Sequence, residues 1–327
     1  MPPSILAFHL GPRFDAAVAS HTGYGPAARP ENQDNFVVID GGGQACHLHG
    51  GQARRVTVAG WPQGHARVAV LDGMGGHGHG REAAEAVAAA LLAVPPCTGA
   101  GELAFRLDAL HAELQHRFLV DDGLPRPGTT LTLLELPLDG DALLYHVGDS
   151  RLYELAPDGA HALTVDHVPA TAAAMAGRLD EAGWRRQVHG RHAPQIAQAF
   201  ILGNAFTDPA RLSDALYPLT PERLPAWLSA MPDRRALALR PNRAYLLATD
   251  GFWSCAQPDL FVGGWPQLLA GCRDAAGIVE RLFGAIEHDP PPGLLPDNLT
   301  ALVLLPSLLP SPLPRHADET ALPEADG

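Results

Sequence analysis

Short apolar runs closed by turn residues recur along the whole chain. Residues 15–20 (DAAVAS), 35–39 (NFVVI), 67–71 (RVAVL), 129–136 (TTLTLLEL), 142–147 (ALLYHV), 151–155 (RLYEL), 244–249 (AYLLAT) and 299–305 (LTALVLL) have the length and content of strands. Tight polar turns such as Asp139-Gly140-Asp141 and Pro157-Asp158-Gly159 join several of them, which predicts antiparallel hairpins. Helical periodicity covers 80–93, 101–119, 169–184, 191–202 and 267–287. Strands in consecutive groups with helices in pairs predict an α+β fold of stacked antiparallel sheets covered by helices, not a parallel βαβ sheet. The Gly-, Gln- and His-rich segment 41–66 reads as a surface insertion. Residues 306–327, Pro-rich and then acidic, read as a disordered tail outside the folded domain of 1–305.

Composition narrows the class. At 327 residues there is ample length for a core, and 46% hydrophobic against 18% charged residues describes a globular protein. A formal charge of −13 argues against non-specific binding to nucleic acid or an anionic membrane. All 23 basic residues are arginine, a bias that suggests a bacterial genome rich in G and C. Cys46, Cys97, Cys255 and Cys272 lie far apart without a CxxC pair, so they are expected as free thiols in a reducing compartment. With no secretory start and no bilayer-spanning stretch, the cytoplasm is the expected location.

Three aspartates share a local design. Asp72 (VAVLDGMGG) and Asp250 (YLLATDGFW) end apolar strands, and Asp297 (LLPDNLTALVLL) precedes one. Each pattern puts a carboxylate at a sheet rim while the adjoining strand anchors it in the core. Hard divalent cations need several oxygen ligands, which rigid strand ends from distant segments supply. A lone Asp-Gly is ordinarily a plain turn; three such sites in one chain point to a metal centre.

The full ordered set is more specific. Arg29-Pro30-Glu31-Asn32-Gln33-Asp34-Asn35-Phe36 is followed by Asp72-Gly73-Met74-Gly75-Gly76-His77, Gly128-Thr129-Thr130 and Val147-Gly148-Asp149-Ser150-Arg151. Leu163-Thr164-Val165-Asp166-His167, Thr249-Asp250-Gly251-Phe252-Trp253 and Asp297-Asn298-Leu299-Thr300 complete it. In this order the motifs resemble the PPM family, the type-2C metal-dependent serine/threonine protein phosphatases, in its bacterial form, from about residue 15 to 305. The resemblance implies a four-layer α-β-β-α sandwich of two antiparallel sheets flanked by helix pairs. It also implies hydrolysis of phosphoserine and phosphothreonine on proteins by water activated between two Mn²⁺ or Mg²⁺ ions, with no protein nucleophile. Asp72 resembles the aspartate bridging both ions, with the Gly73 carbonyl on one. Asp250 and Asp297 resemble the other carboxylate ligands, and Asp149 a ligand of a third, weaker ion. Asp34 resembles the residue orienting bound water, and Arg29 the phosphate-binding arginine. The implied partner is a phosphorylated protein made by a cognate kinase, and the implied state a monomer.

Two positions depart from the best-known pattern. Gln33 replaces a glutamate that serves the second ion, and Met74 replaces a histidine proposed as general acid, which leaves His77 or bound water to supply that proton. Loss of the second ion would favour a rival reading, a catalytically weak relative that binds a phosphorylated partner. A further rival is a zinc protein using His47, His49, His77 and His79, whose Gly-rich surroundings read instead as solvated loops. Arg151 reads as a structural ion-pair partner, Met74 and Trp253 as packing residues, and 203–243 either as an extended flap that shapes substrate choice or as a surface excursion without a role.

Overall fold

The computed structural model describes residues 3–11, 13–25, 28–75, 79–118, 127–188, 196–208 and 215–306. Along them run β1 (Leu6–His9), β2 (Phe14–His21), β3 (Asn35–Ile39), β4 (Gln44–His49), β5 (Gln52–Thr57), β6 (Ala66–Leu71) and the two-residue β7 (Gly73–Met74). Helices α1 (His79–Leu91) and α2 (Ala100–Phe118) precede β8 (Gly128–Thr129), β9 (Leu131–Leu136), β10 (Ala142–Val147), β11 (Arg151–Ala156) and β12 (Gly159–Ala162). Then come α3 (Pro169–Met175), α4 (Glu181–Val188), β13 (Gln198–Ala199), β14 (Gly203–Asn204), β15 (Arg234–Leu237) and β16 (Ala244–Ala248). Last are α5 (Pro258–Gly263), α6 (Trp265–Leu268), α7 (Ala275–His288) and β17 (Leu299–Pro306).

The strands form two large antiparallel sheets, ordered β1-β2-β17-β16-β11-β12 and β15-β10-β9-β6-β3-β4-β5. Alternation within β6 shows how they stack. Val68 and Val70 join the cluster between the sheets, while Ala69 and Leu71 face the opposite way into the layer under α1 and α2. Burial on both faces is why the central strands read as continuous apolar runs. The helices contribute single stripes: Leu103, Leu107, Leu110 and Leu114 on α2, and Ile278, Val279, Leu282, Phe283 and Ile286 on α7. Asp274 caps α7 by accepting from the Gly277 N–H at 2.7 Å. Helix pair, sheet, sheet, helices: the expected four-layer sandwich is the observed one.

Several local expectations change. Segment 41–66 is not a surface excursion; β4 and β5 extend the second sheet beyond β3, with Ala45, Cys46, His47 and Leu48 buried. The helix expected over 169–184 is two, α3 and α4, broken where Gly177 adopts φ 69°. Within 191–202, the described residues 196–202 hold β13 and the turn into β14 rather than a helix; Ile201 lies in that turn at φ 74°, held by a hydrogen bond from its N–H to His111 Nδ1 at 3.0 Å. The 267–287 helix begins only at Ala275, after Gly271 at φ 86°. Leu219, Leu224 and Leu228 of segment 203–243 form a small separate core with Val165, Val168 and Trp184. Residues 307–327, which include most of the expected tail, lie outside the described residues.

Candidate active site

The strand ends place the carboxylates. β6 delivers Asp72, whose N–H donates to Thr130 Oγ1 at 2.8 Å while its carbonyl accepts from the Thr130 N–H at 2.9 Å. β16 and β17 lie side by side, so Asp250 just after one and Asp297 just before the other meet at the same rim. The turn between β10 and β11 brings Asp149, with Gly148 at φ 112° packed against Thr130. One cavity of about 600 Å³ is lined by Arg29, Gln33, Asp72, Gly73, Asp149, Asp250 and Asp297, with Glu31, Met74 and Asn298 among the rest. Asp72, Gly73, Asp149, Asp250 and Asp297, the ligand candidates for hard cations, are therefore all in one lining.

Close backbone approach holds this rim. A Cβ on Gly251 would sit 2.1 Å from the Asn298 carbonyl oxygen, and one on Gly73 would sit 2.4 Å from those of Gln33 and Gly80. Only glycine permits either contact. Asn298 ties the loops across: its Oδ1 accepts from the Gln33 N–H at 2.8 Å, and its Nδ2 donates to the Glu31 carbonyl at 3.0 Å. At the mouth, Arg29 Nε lies 3.2 Å from Asp297 Oδ1.

Asp34 is not in the lining. It is buried behind it, where Oδ2 accepts from Thr249 Oγ1 and Thr300 Oγ1, both at 2.8 Å. Burial first, then repulsion from Asp297 and Asp250, pushes its carboxyl up to about 8 against the two hydroxyl bonds. Burial and Asp297 push Asp250 up to about 6, offset in part by hydrogen bonds with Ser254 and Asp72. Asp72 and Asp149 are raised well above the usual carboxylate range by burial and by their acidic neighbours. The carboxylates thus strain against one another.

Among the described lining residues five are carboxylates (Glu31, Asp72, Asp149, Asp250 and Asp297) and one, Arg29, is a cation. No three acidic, histidine or cysteine side chains among the described residues close on one point as a finished ligand shell. The oxygens in the lining, the carboxylates of Asp72, Asp250 and Asp297 with the backbone carbonyl of Gly73, are of the kinds that magnesium and manganese take together with water. The donor set fits hard divalent cations.

Sequence reasoning missed Glu31, which accepts from Gln33 Nε2 at 2.9 Å and pairs with Arg81 Nε at 3.3 Å. Its only signal was its place between Arg29 and Asp34. Arg151 is a structural partner as expected: it binds Asp166 through Nη2 at 2.6 Å, and its guanidinium stacks 4.8 Å from the Trp253 ring centre. Met74, expected under the site, lines the cavity itself. His47 is buried rather than solvated, with Nδ1 3.0 Å from the Leu48 carbonyl; His49 and His79 face Glu85 and Glu82. His77 lies outside the described residues. The four cysteines are free.

No family model matches the chain, and no curated protein matches it in sequence. Solved structures do match in fold. The catalytic domain of the serine/threonine protein phosphatase PstP, in complex with two manganese ions, is 21% identical with a TM-score of 0.56, covering 90% of this chain and 98% of its own. A serine/threonine phosphatase from S. agalactiae is 19% identical with a TM-score of 0.61, covering 89% and 99%. The PPM Ser-Thr phosphatase MsPP from Mycobacterium smegmatis, in complex with cacodylate, is 21% identical with a TM-score of 0.55, covering 89% and 97%. The chain has the fold of PPM serine/threonine phosphatases over most of its length. Among the described residues no helix is long and apolar enough to cross a membrane.

Proposed function

We propose that the protein is a PPM-type phosphatase that hydrolyses phosphoserine and phosphothreonine on proteins with a pair of Mn²⁺ or Mg²⁺ ions. The observation that carries this is the charge of the cavity, five carboxylates against one guanidinium. A phosphate dianion is repelled by such a surface unless bound cations invert the local field. Asp72, the Gly73 carbonyl, Asp250 and Asp297 would hold the two ions, and Asp149 a third, weaker one. Bound there, the ions would supply Lewis-acid activation of water and neutralise charge on the phosphoryl oxygens.

The chain's own residues do the positioning. Arg29, half exposed at the mouth, is free to swing from Asp297 and clamp two phosphoryl oxygens with its planar fork. Asp34, locked by Thr249 and Thr300, acts from behind the wall to fix the Asp250–Asp297 rim. Gln33 brings no charge, yet Glu31, hydrogen-bonded to it in the same lining, does. This weakens the rival reading of a phosphoprotein-binding regulator without turnover. The partner is then a phosphorylated protein, the product of a serine/threonine kinase, met in the cytoplasm. Phosphate release from phosphoserine, phosphothreonine and phosphotyrosine peptides, with Mn²⁺, with Mg²⁺ or with EDTA, tests the proposal. Mn²⁺-dependent release from the first two supports it; no release with either ion rejects it.

A further inference from the structure

Outside the cavity, one surface stands apart in charge and hydrogen bonding. β5 ends the second sheet, pairing with β4 on one side only, and among the described residues no segment pairs with its outer edge. Gln52, Ala53, Arg54 and Arg55 are exposed along it. A strand edge of this kind presents unpaired N–H and C=O groups to any extended chain. Some arginines of this acidic protein sit on carboxylates, as Arg106 does on Glu102, Arg185 on Glu181 and Arg234 on Asp108, and others on backbone carbonyls, as Arg235 does on Leu163. Arg54 and Arg55 have no carboxylate in ion-pair range among the described residues; Arg55 only rests over the Phe8 ring, 5.4 Å from its centre.

The strand is also connected to the cavity. Glu31 in the lining binds Arg81 at 3.3 Å, and Arg81 binds Glu85 at 3.1 Å. Glu85 accepts from the Gly50 N–H at 2.9 Å, in the turn that opens β5. From that turn β5 runs away from the rim for six residues, about 20 Å of extended chain. At its far end a second cavity of about 550 Å³, lined by Val56, Val58, Trp61, Leu92 and Pro95 among others, offers an apolar recess. The turn before β5 is thus tied to the rim, and the recess adjoins the far end of the strand.

We propose that the β5 edge docks the acidic flank of the phosphoprotein substrate. An extended Asp- or Glu-rich segment beside the phosphoresidue pairs with β5, meets Arg54 on one face and Arg55 on the other, and seats an apolar side chain in the recess beyond Val56. This rests on the phosphatase reading and adds a substrate class to it. Charged residues on an edge also keep two copies of a protein from pairing. Either sign serves that purpose; the positive pair is a local complement to an acidic segment, set against the chain's overall charge of −13.

The test uses the full chain with Mn²⁺ and fluorescent phosphoserine peptides carrying, on either side of the phosphoserine, an Asp/Glu run, a Gln run or an Arg run. Anisotropy gives binding independently of turnover, and kcat/KM gives turnover. Tighter binding of one acidic peptide than its Gln counterpart, by about tenfold and weakened by salt, is expected. Arg54→Glu/Arg55→Glu should erase that preference and shift it towards the Arg run, with aryl phosphate hydrolysis and Tm unchanged. Equal binding of acidic and Gln peptides, or a preference that survives the charge reversal, overturns the proposal. So does a variant that binds every peptide better, because β5 would then cover this chain's own acidic C-terminal segment. Absence of turnover with the binding preference intact would contradict the phosphatase reading and leave the docking strand standing.

Discussion

Arg29 Nε and Asp297 Oδ1 lie 3.2 Å apart at the mouth of the cavity, an arginine half exposed against a carboxylate 30% exposed. An ion pair this open is worth about 0–1 kcal/mol, so it is not what holds the loop. The Asn298 hydrogen bonds to Gln33 and Glu31 do that. Arg29→Ala should therefore shift Tm by no more than about 3 °C. It should raise KM for a phosphopeptide about tenfold or more, with a smaller loss in kcat. A large drop in Tm with unchanged KM would make Arg29 a structural residue.

Gly251 is the tightest point of the rim, where a Cβ would meet the Asn298 carbonyl oxygen at 2.1 Å. Gly251→Ala forces β16 and β17 apart beside Asp250 and Asp297, at a cost of about 2 kcal/mol or more. Thermal melting should show this, and Mn²⁺-dependent activity should fall with it. Wild-type melting and activity would show that the two segments are not locked together.

The pH dependence follows from the raised carboxyls. Asp34 at about 8 and Asp250 at about 6 stand above the unfolded value of about 3.9, so the fold favours their protonated forms. Their charge costs stability that grows as pH rises from about 4 through 8. In EDTA, Tm should climb as pH is lowered from 8.5 to 5.5. Added Mn²⁺ should raise Tm most at the alkaline end, where protons compete least. A Tm in EDTA that falls steadily over the same range would contradict the crowding of charge at this site.

The sandwich was legible because its central strands are continuous apolar runs and its outer helices carry clean stripes, as in Leu103–Leu107–Leu110–Leu114. That Asp72, Asp250 and Asp297 share one cavity was legible from three strand-end aspartates recurring in one chain, although a lone Asp-Gly is ordinarily a plain turn. β5 was not: QARRVT is exposed except for the half-buried Val56, with no apolar alternation to betray a strand. The breaks at Gly177 and Gly271 turn on positive φ that a helical periodicity does not register. Asp34 was expected to orient bound water, but its place behind the cavity wall was not legible. That placement depends on Thr249 and Thr300, brought together by the pairing of β16 with β17.

The central claim is that Asp72 and its neighbours form a divalent-cation centre that hydrolyses phosphoserine. The most direct measurement is Mn²⁺-dependent phosphate release from a phosphoserine peptide by the wild-type chain and by Asp72→Asn, with Mn²⁺ saturating. Asp72→Asn keeps the shape of the side chain, relieves its repulsion with Asp34, Asp250 and Asp149, and removes the charge a hard cation needs. The account predicts a folded variant with Tm in EDTA equal to or above wild type and activity lower by about a hundredfold or more. Near-normal phosphate release from that variant at saturating Mn²⁺ would contradict it.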